Sequence, residues 1–329
     1  MRFRRPHRAP FAAIAAAATV LAVVAAGCGG DDPEPAATVG SGLEKPSITV
    51  GTLPVADLAQ LKLAMDRGYF TAEGLTVKTQ VLQGGAEAIP RLRSKNLDIS
   101  AGAWVPFFQA QESGAVKLRA VADAFQSAEG THVVLVPKDS DIRTAKDLAG
   151  KKIGVNVKRN LATLLIDSAL RPQGVTLADE NYVPVPFPNM EAALKSGSVD
   201  AVQAVEPFHT QLAKSLGARK VLELSAGETA NFPVAGYVAT EEFAQQNPKT
   251  IAAFQRAIAK AQALLTDEKL LAQVIPTYTR IPAAIAAELK FGLYPANLDA
   301  ARLKRVSDIM VKYGYLKSPI DVNALMATR

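Results

Sequence analysis

Ten short apolar and β-branched runs, separated by stretches of helical spacing, constrain this chain more than any other feature. The runs are Ile48–Thr52, Thr76–Val81, Asp98–Gly102, Leu118–Asp123, His132–Pro137, Lys152–Asn156, Tyr182–Phe187, Asp200–Val205, Lys220–Leu224 and Val234–Ala239. Between them Leu58, Leu61 and Met65 recur at helical spacing, as do Leu161, Leu164 and Leu165. Strands that each lead into a helix cross over to run parallel, so alternation at this pitch predicts α/β architecture with mostly parallel, doubly wound sheets. From Thr240 onward the pattern is helical only. Ile251, Phe254, Ile258 and Leu265 mark one apolar face, and Leu303, Val306, Met310 and Tyr313 mark another. Pro248, Pro282 and Pro295 fall at helix starts or in connections, where a missing N–H costs little.

The first 27 residues read as an address. Arg2, Arg4, Arg5 and Arg8 form a basic head, Phe11 to Gly27 is an apolar run, and small residues then precede Cys28, the single cysteine of the chain. Basic head, short apolar core and small-residue cleavage site together make a signal peptide. A cysteine directly after the site resembles the bacterial lipobox, which implies cleavage before Cys28 and lipid on its sulfur. Residues 28–45 are rich in Gly, Pro, Ala and acids and read as a flexible tether. With no second cysteine to pair, an exported domain of this size must rest on its apolar core.

The net charge of +6 overstates the basicity of the folded part. Four of the 37 Lys and Arg lie in the signal segment, leaving 33 against 31 acids, or +2. The tether holds Asp31, Asp32, Glu34 and Glu44 against Lys45, so the chain from Pro46 onward carries 32 bases and 27 acids, or +5. No dense basic run accompanies that excess, which argues against a nucleic-acid partner.

Several short motifs, in order, carry a resemblance. Ile48 to Thr52 opens the series, followed by Met65-Asp66-Arg67-Gly68-Tyr69-Phe70 and Glu73-Gly74-Leu75-Thr76-Val77. Gly84-Gly85 and Leu97-Asp98-Ile99 come next, then Asp147 to Gly154, Asn189 to Ala201, and Glu206-Pro207-Phe208. This order resembles the nitrate/sulfonate/taurine-type solute-binding family of ABC importers, which includes thiamine-precursor-binding members. The resemblance implies a type II periplasmic-binding-protein fold, two doubly wound lobes joined by two crossing strands, near Gln126–Thr131 and Asn231–Gly236. Lobe one would comprise residues 46–128 and 236–329, and lobe two residues 129–235. Capture between two lobes needs no oligomer, so a monomer is expected, and the lipobox implies that the chain is lipid-anchored on the extracytoplasmic face of the cell membrane. Its partners would be a small-molecule solute, an ABC permease and the ATPase of that permease. A sensory lipoprotein and a thiamine-precursor-type binder are the alternative functions.

Ligands of open α/β sheets sit beyond the carboxyl ends of strands, where helix N-termini offer unpaired N–H groups. Four corners fit. Thr52 and Leu53 lie at the first, where Asp57 reads as a helix cap. Gly84 and Gly85, at the second, allow close backbone approach. Trp104, at the third, is either an apolar wall or a core residue. The fourth joins Asn156 and Asn160 to Lys158 and Arg159, a basic pair that either grips an anion or stays solvated. Glu206 after Val205 either accepts from a ligand amine or partners a protein group. An anionic or zwitterionic solute, such as a sulfonate or nitrate, is the expectation.

Catalytic signatures are missing from the sequence. His132 and His209 are the two histidines left after the signal segment, and neither sits in an H-E-x-x-H pattern. No G-x-S-x-G is present, nor any cysteine nucleophile beyond the proposed anchor. The expectation is a protein that is not an enzyme and takes no metal or cofactor.

Overall fold

The computed structural model describes residues 42–326. The signal segment, Cys28 and the tether up to residue 41 lie outside the described residues. Ten strands alternate with helices through the first two-thirds of the described chain: β1 (Ser47–Thr52), α1 (Ala59–Asp66), α2 (Tyr69–Ala72), β2 (Thr76–Val81), α3 (Gly85–Arg93), β3 (Ile99–Ala103), α4 (Trp104–Glu112) and β4 (Leu118–Gln126). The chain then crosses to β5 (His132–Val136), β6 (Ile153–Val155), α5 (Leu161–Leu170), β7 (Tyr182–Pro184), α6 (Met190–Lys195), β8 (Ala201–Val205), α7 (Phe208–Leu216) and β9 (Arg219–Glu223). It returns through β10 (Pro233–Thr240) and ends in α8 (Glu241–Gln246), α9 (Pro248–Gln262), α10 (Glu268–Val274), α11 (Pro276–Thr279), α12 (Ala283–Ala286), α13 (Ala300–Lys312) and α14 (Val322–Leu325).

The strands form two five-stranded sheets of matching layout. One has the order β2-β1-β3-β10-β4, the other β7-β6-β8-β5-β9. All ten apolar runs became strands, and in each sheet four strands share one direction, as expected, while the fifth runs against them. β10 runs antiparallel to β3 and β4, and β5 runs antiparallel to β8 and β9. The physical reason is the crossover itself. A strand arriving from the other sheet enters from the end at which the local strands finish, so it must run against them. β10 and β5 occupy equivalent slots, and each is the strand that has just crossed. The two crossing segments are laced together, with Ser127 N donating to Phe232 O at 2.8 Å and Phe232 N donating to Ser127 Oγ at 3.0 Å.

Burial follows from position. Every residue of β5 and of β8, both interior strands, is buried, whereas the edge strand β2 has only exposed and half-buried residues. The apolar faces foreseen in the helical tail are buried as well. Ile251, Phe254 and Ile258 of α9 pack inward, with Phe254 stacked on Phe70 at 5.4 Å and edge-on to Tyr237 at 5.2 Å. Leu303, Val306 and Met310 do the same from α13. Glu44 and Lys45, counted with the tether in the sequence, are tied into the fold. Glu44 accepts from Thr250 N at 3.0 Å, and Lys45 Nζ donates to Asp98 at 2.7 Å. No described helix is long and apolar enough to cross a membrane.

Candidate functional site

The carboxyl ends of β1, β3, β6 and β8 converge with the starts of β5 and β10 around one cavity between the sheets. Its volume is about 60 Å³. That is room for several waters and far below the roughly 300–1,000 Å³ of a typical small-molecule pocket, so the cleft is narrow. Leu53, Val55 and Leu58 line it from the first corner, with Leu161, Phe187 and Val205 from the facing side. The polar lining is Asp57, His132, Asn156, Asn160 and Gln203. Neither lysine nor arginine reaches it among the described residues.

Asp57 was expected to cap a helix and does not. The turn at Ala56–Leu58 has Val55 as its cap residue, with no side-chain capping bond. Asp57 instead lies 7 % exposed on the cavity wall, and its carboxyl has no hydrogen bond or ion pair to another residue's side chain among the described residues. Burial pushes its pKa up to about 7, against the pull of its own backbone N–H and with help from the charge of Glu206. His132 is also buried, and desolvation pushes its imidazole down to about 4, so the ring is neutral at pH 7. Its Nδ1 lies 3.2 Å from Thr131 Oγ1.

The fourth corner supplies donors rather than charge. Asn160 caps α5, its Oδ1 accepting from Leu161 N at 2.7 Å, which leaves its Nδ2 without a partner among the described residues. The Asn156 amide is likewise unpaired there. Gly84 approaches this corner from the other sheet. A methyl group on it would lie 3.0 Å from Val157 Cγ2 and 3.7 Å from Asn156 Nδ2. Gln203, 2 % exposed, has only a long 3.4 Å bond to Ala204 O.

Of the residues singled out in the sequence, Leu53, Asn156 and Asn160 line the cavity, and Gly84 packs beside it. Thr52 is half-buried outside it, where its carbonyl accepts from Leu82 N. Gly85 packs on α4 instead, where an added methyl would lie 2.8 Å from Pro106 Cγ. Trp104 is fully buried with its ring laid on Gly236, where no Cβ would fit, so it is core rather than cleft wall. Arg159 is exposed at φ 51° and sits over the Tyr315 ring at 5.8 Å, pointing away from the cavity. Lys158 is held by Asp179.

Glu206 is buried but spoken for. Thr210 Oγ1 and Lys290 N donate to one oxygen at 2.8 and 3.0 Å, and Thr210 N donates to the other at 3.1 Å. Its backbone carbonyl accepts from Ala56 N at 3.0 Å, joining the β8–α7 corner to the β1 corner. The carboxylate that faces the cavity is therefore Asp57. The sequence signal for it was weak, because an Asp two residues before an apolar helical run is an ordinary capping pattern.

Residues 56–268 match the family model described as NMT1/THI5 like. Among curated proteins, the chain is 24 % identical over 246 residues to a putative aliphatic sulfonates-binding protein of Escherichia coli, covering 72 % of this chain and 75 % of that one. It is 24 % identical over 269 residues to a nitrate import ATP-binding protein of Synechocystis, covering 77 % of this chain but only 40 % of that longer protein. The alkanesulfonate-binding protein of Xanthomonas axonopodis, solved with MOPS bound, superposes with a TM-score of 0.71 at 19 % identity, over 85 % of this chain and 98 % of that one. A desulfurization enzyme, DSZB, shares the fold with a TM-score of 0.67 at 18 % identity, over 87 % and 97 %.

Proposed function

The chain belongs to the NMT1/THI5-like family, and from that premise we propose that it is the extracytoplasmic solute-binding component of an ABC importer. It would capture a small solute between two lobes and hand it to a membrane permease driven by an ATPase. The observation that carries this reading is the cavity, whose walls come from strand ends of both sheets, so that a solute held there bridges them. Such a solute stabilises the shut form only through contacts it loses when the sheets part. At about 60 Å³ the cavity is too tight for a solute to come and go without opening.

Hinge motion would fall at residues 127–131 and 224–232, the segments that leave one sheet for the other. Lobe one would then be residues 46–128 with 236–329, and lobe two residues 129–235, with Pro233–Ala235 already paired to β4 in the first sheet. We further propose a monomer held by lipid on Cys28 at the outer face of the cell membrane. Stable anchoring of that kind takes two acyl chains or an equivalent second signal.

The test is mass spectrometry of small molecules released on denaturing the purified protein, followed by small-angle scattering with and without the recovered solute. A bound solute and a smaller radius on adding it back are expected. Recovery of a chemically altered product after incubation would replace the binding reading with an enzyme on this fold. An unchanged radius at saturation would remove closure.

A further inference from the structure

The cavity holds one buried carboxyl without a side-chain partner, and no lysine or arginine faces it. A solute that is only an anion would therefore meet one acid and otherwise neutral polar groups, the amides of Asn156, Asn160 and Gln203 and the imidazole of His132. Such an anion is held only with Asp57 protonated, and above the pKa of about 7 that protonation costs affinity which helix N-terminal effects, modest and confined to a turn, repay only in part. A solute with an N–H or ammonium donor, in contrast, completes what the protein leaves open. It gives Asp57 the partner that no other described side chain supplies, and its acceptor end meets the free Nδ2 groups of Asn156 and Asn160. Charge-assisted hydrogen bonds of this kind are among the stronger ones available to a desolvated site.

We propose that the cleft selects solutes bearing an amine or other nitrogen donor, which Asp57 accepts, and discriminates against solutes that carry negative charge alone. This rests on reading the cavity as the solute site. The apolar lining from Leu53, Leu161 and Phe187 then takes the carbon skeleton between the two polar ends. With its pKa pushed up to about 7 by burial, Asp57 meets such a donor as a carboxylate above neutrality, and a cation beside it pulls that pKa down.

The experiment uses the full chain and matched probes: nitrate, ethanesulfonate against 2-aminoethanesulfonate, acetate against glycine, and 2-aminopyridine as a donor without a fixed negative charge. Binding is read by calorimetry at pH 7.5, beside mass spectrometry of any solute released on denaturation. At least one donor-bearing probe, or a released solute with a nitrogen donor, should bind tenfold or more above its donor-free partner. Asp57→Asn should lose tenfold or more on that solute while melting no lower than the wild type. Tight binding of nitrate, ethanesulfonate or acetate with no gain from the amino group overturns the proposal but leaves solute capture intact. So does an Asp57→Asn variant that binds the donor solute as well as the wild type. No released solute and no binding by any probe would remove the solute-binding reading itself, and this proposal with it.

Discussion

Two corners of this molecule face each other with a buried carboxylic acid apiece, and they serve opposite purposes. At the β8–α7 corner Glu206 is 2 % exposed, and both of its oxygens accept hydrogen bonds, one of them from the backbone of Lys290. At the β1 corner Asp57 is 7 % exposed, and no other residue's side chain meets its carboxyl. Burial alone does not tell the two acids apart. The hydrogen-bond inventory does: an acid whose acceptors are filled by the protein is a tie, and an acid left open toward a cavity is available to a ligand.

The largest expected effect tests the tie. Glu206→Ala strands the Thr210 hydroxyl, the Thr210 N–H and the Lys290 N–H in a buried junction between the two sheets. Leaving a buried donor without its acceptor costs about 1–3 kcal/mol, so the loss of all three bonds should be on the order of several kcal/mol. Asp57→Asn strands nothing and should leave stability at pH 7.5 equal to the wild type or higher. Urea unfolding of the two variants checks this. A Glu206→Ala protein as stable as its parent would break the contrast, as would an Asp57→Asn protein that falls with it.

That contrast also marks where sequence reasoning stops. The ten strands were legible because buried strands must be apolar and β-branched, and the helical faces because burial repeats at helical spacing. The antiparallel slots of β5 and β10 were not, because strand direction is set by which sheet the chain has just left. Asn156 and Asn160 were legible as a helix start, but Arg159 beside them was not, since its positive φ turns it onto Tyr315. Trp104 follows a strand end as a wall residue would, yet Gly236, far away in sequence, provides the flat seat that takes its ring into the core. The roles of Asp57, read as a cap, and of Glu206, left open, were decided by Lys290 and Thr210 on one side and by the cavity on the other, and no local pattern records that.

The contrast sharpens with pH. Asp57 has its folded pKa raised from 3.8 to about 7, so the folded protein holds that proton more tightly than the unfolded chain, and stability is lost as pH rises across this window. His132, on the same cavity, has its folded pKa lowered from 6.5 to about 4, so stability is gained as pH rises from about 4 to 6.5. The two slopes oppose each other. Glu206 also acts on Asp57, while the Tyr278 and Tyr294 hydroxyls near it are held far above their usual range by burial and stay neutral. Removing Asp57 should therefore leave the rising histidine slope uncovered. The stability of Asp57→Asn minus that of the wild type should climb by on the order of 1 kcal/mol per pH unit between about pH 4 and 7, then level off. A difference that stays flat across urea titrations from pH 4 to 8 would mean that Asp57 is solvated or paired.

The smallest effects belong to the rim, where Gly84 and Arg159 sit on opposite sides of the same corner. Gly84 has an extended backbone that any residue adopts, so an alanine there tests space alone. Its methyl would press Val157 Cγ2 at 3.0 Å, a contact that exists only while the two corners are together. Gly84→Ala should thus oppose closure without unfolding the protein, weakening the recovered solute by about two- to fivefold, or roughly 0.5–1 kcal/mol. Arg159→Ala removes an exposed cation from the ring of Tyr315 and touches nothing in the cavity, so solute affinity should stay unchanged and stability should move by less than about 0.5 kcal/mol. Calorimetry on both variants with the solute recovered from the protein separates the cases. If Arg159→Ala weakens binding tenfold while Gly84→Ala does nothing, the basic side chain swings into the cleft when the solute binds. The anion contact would then be Arg159 rather than the amides of that corner.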